Sequence, residues 1–349
     1  LVVGLMYYDQ THDDSVLPLV DTYVSFVHHA FNSQTRRFRN FMSYDRKWLE
    51  DVGSEDVHGR SIWGLGTAAM LAPNDAVLSL ATRLFNDALE PLERLTFPRA
   101  WAFALIGINN YLNRFPGDTQ SRRFRKLLAD RLMALFRENA SPDWPWCENL
   151  VTYDNARLPQ ALMLTGRALQ DEQMVQQGIT SLDWLVSVQT VEGGRISIIG
   201  NNGWLDRSGK RARFDQQPLD AMALVEACAE AYRITSEELW FDRTREILAW
   251  FTGNNDTHSS LYDYQTGGCR DGLHSDGPNL NQGAESTLAW LVSLMTVMDL
   301  NRTRSINGKP TSKPAPDSGQ QQTADEAETG TELDKEVETP HLEGSRQPV

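Results

Sequence analysis

The sequence predicts an all-α fold, an (α/α)6 toroid of paired helices, on three observations. Apolar residues recur at helical spacing in segment after segment, with no sustained period-two alternation. The connections between these segments alternate in length. The long ones collect Trp, His, Asn, Gly and acidic residues. Antiparallel hairpins repeated around a ring would give this alternation, with the long loops at one end forming a funnel. Unstructured loops beyond about 12–15 residues usually carry function.

The elements read in order as follows. Residues 16–32 are apolar with helical period. A helix over 55–71 follows, with Ser54 as its N-cap, and 74–92 opens on Asn74 and Asp75, which suit a first turn. Helices over 99–112, 119–137, 155–169 and 172–188 come next. The helix over 218–232 starts at Pro218, where the missing N–H costs nothing. Ser236 with Glu238 and Leu239 opens the helix over 236–251, and the last runs over 282–300. The best candidate for a short strand is 195–199. Connections 71–74, 169–172 and 232–236 are tight, whereas 33–54, 140–154, 189–217 and 253–281 are long; 92–99 is the short exception. Ten helices are read where six hairpins need twelve. Either the chain starts inside the toroid, leaving it incomplete at the N-terminus, or a pair goes unread. The chain opens on Leu1, and 1–8 is too short for a signal peptide, so the start is read as a truncation.

Composition narrows the function classes. The 349 residues hold 33 Lys and Arg against 47 Asp and Glu, a formal charge of −14. That balance opposes binding to nucleic acid or to anionic lipid. No apolar run approaches the roughly 18 residues that span a bilayer. Cys147, Cys228 and Cys269 are far apart and form no paired motif, so neither a disulfide framework nor a zinc knuckle is expected, and a reducing, cytoplasmic compartment is. Residues 306–349 hold no Trp, Phe or Tyr and carry nine acids against four bases. Such a segment cannot bury enough apolar surface to offset chain entropy. The expected organisation is a toroid domain over 1–304 and a disordered acidic tail over 305–349.

Four clusters could carry chemistry. In the first, Glu55, Asp56, His58 and Arg60 open the helix that carries Trp63. Acids in a first turn also simply complement the helix dipole. In the second, Trp144 and Trp146 flank Pro145, and Asp154, Asn155 and Arg157 open the next helix. Aromatic faces stack on sugar C–H faces, though they also fill cores, and Asp154 suits an N-cap. In the third, Asn201, Asn202, Gly203 and Trp204 form a turn, and Asp215, Gln216 and Gln217 precede Pro218, with Asp220 inside the helix. Amides offer both donor and acceptor, which matches hydroxyl groups. The fourth gathers Asp256, His258, Asp263, Arg270, Asp271, His274, Asp276, Gln282 and Glu285 among glycines. Its spacing matches neither HExxH nor a calcium loop, so no metal is expected. There is no GxSxG elbow, dinucleotide fingerprint or P-loop, and no cofactor is expected. What remains is equipment for glycosidic-bond chemistry, in which one carboxylic acid protonates the leaving oxygen and a second carboxylate activates water or attacks.

The strings GRSIWGLG, WPWCENLVTYDNARLPQAL, FDQQPLDAMALVEA and DGLHSDGPNLNQGAESTLAWL, taken as a set, resemble a bacterial glycosyltransferase-associated domain. Such domains occur beside, or fused to, glycosyltransferase and mannoside-phosphorylase genes. The resemblance spans about residues 35–300. It implies the six-hairpin glycosidase-like (α/α)6 superfamily, related in shape to N-acylglucosamine 2-epimerases, and a carbohydrate context. It supplies no catalytic residue. The residues themselves point to a glycoside hydrolase or related enzyme acting on gluco- or manno-oligosaccharides. Asp154 with Glu55 or Asp56 would form one side of the acid–base pair, and Asp215 and Asp263 are the other candidates. Trp144, Trp146 and Trp204 would be sugar platforms. His58, Arg60, Asn155, Arg157, Gln216, Gln217, His274 and Gln282 would hold hydroxyls. Two alternatives stay open: an epimerase or isomerase using two of His58, His258 and His274, and a non-catalytic glycan-binding domain that partners a glycosyltransferase.

Overall fold

The computed structural model describes residues 1–306. Its helices are α1 (Val2–Thr11), α2 (Leu17–Ala30), α3 (Glu55–Met70), α4 (Asp75–Asp87), α5 (Pro98–Arg114), α6 (Thr119–Asn139), α7 (Arg157–Leu169), α8 (Glu172–Ser187), α9 (Pro218–Thr235), α10 (Glu238–Phe251) and α11 (Ala284–Ile306). The odd-numbered helices pack in sequence, α1 on α3, then α5, α7, α9 and α11, and α11 returns to α1. They form a closed inner ring. The even-numbered helices pack outside it, α2 on α1 and α4, α4 on α3, α6 on α5 and α7, α8 on α7 and α9, and α10 on α9 and α11. The fold is an (α/α)6 toroid with six inner and, among the described residues, five outer helices. The expected tail over 305–349 lies outside the described residues, apart from Ser305 and Ile306 at the end of α11.

Local chemistry sets the helix starts. Ser54 Oγ accepts from the Val57 N–H at 3.2 Å, and Asn74 Oδ1 from the Val77 N–H at 3.0 Å. Pro218 and Pro98 stand in the first turns of α9 and α5. Ser236 behaves otherwise than expected. It ends α9 in the left-handed region with φ of 59°, and Glu237 precedes α10 instead. Helix α1 went unread because its polar residues Asp9, Gln10 and Thr11 are bunched at its end, leaving no polar face to set a period.

The inner ring is tightest between α3 and α5. A Cβ on Gly66 would lie 2.0 Å from the Gly107 carbonyl oxygen, and one on Gly107 would lie 2.3 Å from that of Ile62. Backbone meets backbone there, and only glycine permits it.

The connection rule holds. Inner helices pass to outer ones through short returns such as 71–74, 170–171 and 236–237. Outer helices return through 31–54, 88–97, 140–156, 188–217 and 252–283, all at the N-terminal ends of the inner helices. The short exception, 88–97, contains a 3-10 turn over Glu90–Arg94. Two-residue strands tie these loops together. β1 (Phe31–Asn32) pairs with β2 (Arg37–Phe38), and β5 (Leu273–His274) with β6 (Gly277–Pro278). β3 (Leu150–Val151) pairs with β4 (Leu205–Asp206), joining two different loops. In the expected strand over 195–199, Ile196 forms a single bridge, to Thr190.

Candidate active site

The N-terminal ends of the inner helices converge on one mouth, where their unpaired N–H groups favour carboxylates. α3 brings Asp56 and Arg60, α9 brings Asp220, and α11 brings Glu285. The long loops add Asn40, Tyr153, Asn201, Trp204 and Gln217. Together they line a cavity of about 390 Å³, a size suited to a small-molecule ligand.

Behind its wall lies an ionic network. Asp154 is fully buried, and its backbone sits in the left-handed region with φ of 49°. It caps no helix. Its two carboxylate oxygens meet two guanidinium groups, Arg60 Nη2 at 2.8 Å and Arg157 Nε at 3.3 Å. Arg60 also reaches Asp56 at 3.3 Å and lies 4.1 Å over the Phe103 ring. Arg157, itself fully buried, continues to Glu226 at 2.6 Å and Gln160 at 2.8 Å, and stacks 4.7 Å over Trp63. A third arginine holds the loop in this shape. Arg99 pairs with Glu148 at 2.9 Å and donates to Thr152 Oγ1 at 2.8 Å and Asn155 Oδ1 at 2.9 Å.

The Asp154 N–H donates to Asp220 Oδ1 at 2.6 Å. The Asn155 N–H also holds this carboxyl. Burial, and then the negative charge of Asp154, push the Asp220 carboxyl up to about 8. At neutral pH it therefore carries a proton beside the cavity.

The structure sorts the sequence-derived residues. It brings Asp56, Arg60, Trp204 and Gln217 to the cavity, with Asp154, Asn155 and Arg157 immediately behind it. Arginines occupy both oxygens of Asp154. Glu55 lies outside, accepting from the Thr96 and Phe97 N–H groups at 2.7 and 2.9 Å. His58 is fully buried on the far side of α3, where its Nε2 meets the Ala88 carbonyl at 3.0 Å; burial lowers its pKa to about 3. Trp144 and Trp146 are core residues, packed with Trp184 of α8 at 4.9 and 6.1 Å, so they offer no open face to a sugar. Gln216 is fully buried, bonded to Trp250 and Asp256 at 2.8 and 2.6 Å. Asp263 staples its own loop, accepting from Arg270 and Gln282 at 2.9 and 2.8 Å. His274 bonds Asp215 in the neighbouring loops, and His258 is exposed in the α10–α11 loop. Among the described residues no histidine lines the cavity. Nor does any group of three His, Cys, Asp or Glu side chains among them come together to hold a metal.

Three residues of the cavity and its support are not among the sequence-derived site candidates. The sequence groups Asp220 with Asp215 and two amides as suited to a polyhydroxyl ligand, shows Glu285 as one acid in a crowded loop, and shows Arg99 only as the start of a helix. A signal existed for the first two: each falls within the first turn of an inner helix, and those turns form the mouth.

No family model matches the chain, and no curated protein matches it. Solved structures do. Cellobiose 2-epimerase from Spirochaeta thermophila aligns with a TM-score of 0.66 at 12% identity, covering 87% of this chain and 84% of the other. A GH76 α-mannanase from Bacteroides thetaiotaomicron aligns with a TM-score of 0.58 at 14% identity, over 88% and 85%. An unsaturated glucuronyl hydrolase specific for heparin gives 0.53 at 10% identity, over 86% and 95%. At such identities the likeness is one of fold, and that fold is the (α/α)6 toroid.

Proposed function

We propose that this chain is a carbohydrate-active enzyme, a glycoside hydrolase whose general acid is Asp220. The observation that carries the reading is this carboxyl: buried in the cavity wall and held by the Asp154 and Asn155 N–H groups, with a pKa that burial raises despite both. A carboxylic acid that stays protonated at pH 7 can deliver its proton to a departing glycosidic oxygen. Asp56, oriented by Arg60, is the base. It takes a proton from the water that attacks the anomeric carbon, so the net reaction adds one water across the bond. Trp204 offers an aromatic face, and Asn40, Asn201 and Gln217 offer amides to hydroxyl groups. A histidine pair is not available at this wall, which favours hydrolysis over epimerisation.

The test is product analysis on a panel of α- and β-linked gluco- and manno-oligosaccharides, with and without phosphate, beside Asp220→Asn. Hydrolysis products that the variant fails to form support the reading. Epimerised sugars, or hydrolysis undiminished in the variant, overturn it. Sugar binding with no turnover would leave a glycan-binding domain in its place.

A further inference from the structure

A second space opens in the α10–α11 loop. It occupies about 390 Å³, as much as the mouth, and is walled by Ser260, Tyr262, Asp263, Tyr264, Gln265 and Arg270. The two spaces share no residue.

The loop folds here into a short hairpin. Tyr262 bridges to Cys269, the Asp263 N–H donates to the Gly268 carbonyl at 2.9 Å, and Gly267 turns the chain with φ of 74°. Its base is anchored: Tyr262 stacks on Trp290 of α11, with ring centroids 4.7 Å apart. Tyr264 meets Tyr262 at 4.8 Å and 74°, so the two rings form a nearly right-angled corner. Tyr264 is 73% exposed.

A single exposed aromatic needs no explanation. Its company here does. Asp263 pairs with Arg270 at 2.9 Å, so the charges of the space cancel. A lone carboxylate would draw a cation and a lone guanidinium a phosphate or carboxylate, but a matched pair favours neither. Asp263 is also fully engaged. One oxygen accepts from the Gln265 and Thr266 N–H groups, the other from Arg270 and Gln282. No acid is left there for proton transfer. The hydroxyls of Tyr262 and Tyr264 and the side-chain amide of Gln265 bond no other described residue, and each offers a donor and an acceptor. A ligand that fits has an apolar face, hydroxyls at its edge and no charge, which describes a pyranose ring.

We infer that this hairpin is a second, non-catalytic glycan-binding site that holds a neutral gluco- or manno-pyranose unit of a polymer. It goes beyond the hydrolytic reading of the mouth and does not require it. Gln282 ties the hairpin to the start of α11, and Glu285, one turn on, lines the mouth, so both sites lie at the same end of the toroid.

Affinity electrophoresis of the full chain through native gels containing glucomannan, a neutral polymer of glucose and mannose, tests this. The parent should be retarded, and Tyr264→Ala should bind roughly 2- to 10-fold more weakly. Tyr264→Phe, which keeps the ring, should retain most of the retardation. Gln265→Ala removes only an exposed amide and should weaken binding in the same direction, so the test survives a Tyr264→Ala protein that fails to fold. Binding that Trp204→Ala keeps and Tyr264→Ala loses supports the hairpin site even if the chain hydrolyses nothing. Binding that Tyr264→Ala keeps and Trp204→Ala loses overturns it and leaves the sugar-handling mouth standing. A parent that glucomannan does not retard, or that anionic polygalacturonate retards more strongly, overturns it as well.

Discussion

Replacing Asp220 with Asn should cost activity and add stability, because one feature of the site produces both. In the folded protein this carboxyl titrates near 8, against 3.8 for an unperturbed aspartate. A carboxyl whose folded pKa lies above its unfolded value binds protons more strongly in the native state. Its contribution to stability is complete below about pH 4 and is lost as pH rises toward 8. At pH 7 the gap spans about three units, on the order of 4 kcal/mol at 1.36 kcal/mol per unit. For about 300 residues this corresponds to a Tm difference of ~6 °C. An asparagine places a carbonyl under the Asp154 N–H and an amide where Oδ2 stands, without the ionisation penalty. Scanning calorimetry from pH 5 to 8 should show the variant gaining on the parent as pH rises, by ~2 °C at pH 5 and ~6 °C at pH 7. The same change should lower kcat on unactivated glycosides by about 10²–10⁴, the usual worth of a general acid. Aryl glycosides with good leaving groups should lose less. A variant that melts at or below the parent across this range, with activity intact, would refute the argument that a protonated Asp220 sits in the wall.

Other perturbations separate the site from its scaffold. The parent's kcat should fall above about pH 8 as Asp220 ionises, and a profile flat through pH 9 would count against it. Trp204→Ala should raise KM about 2- to 10-fold by removing an exposed aromatic face, whereas Trp146→Ala should cost about 3–5 kcal/mol in urea denaturation, because Trp146 is fully buried. Gly107→Ala should destabilise by about 1–3 kcal/mol or more, since its Cβ would strike the Ile62 carbonyl. Arg99→Lys cannot reproduce the fork that grips Glu148, Thr152 and Asn155, and should lower kcat without abolishing the fold, as circular dichroism would show.

The toroid was legible because hairpins write themselves twice into a sequence, in helical period and in alternating loop length. The mouth was legible in part for a related reason. Asp56, Arg60, Trp63 and Thr67 are spaced 4, 3 and 4 apart along α3, and all four line the axial spaces. His58 falls two residues from Asp56, on the opposite face, so helix phase alone places it against α4's end rather than the axis. Applied to each inner helix, that phase would have moved attention from Glu55 to Asp56. It would not have distinguished Trp144 and Trp146 from a rim platform, because their partner Trp184 lies nearly forty residues away on α8.

Asp220 marks the deeper boundary between sequence and site. Its raised pKa needs two things that no local pattern contains: burial by the ring, and the charge of Asp154, 66 residues earlier. Asp154 in turn reaches that position only by leaving the helix it was expected to cap, in a left-handed conformation fixed by Arg60, Arg157 and the Arg99-anchored loop. Burial by the ring is the larger cause of the Asp220 shift, and the neighbouring Asp154 charge the second. The two guanidinium groups that meet Asp154 hold that carboxylate beside Asp220, so the second cause depends on side chains from α3 and α7 that no local pattern around Asp220 contains.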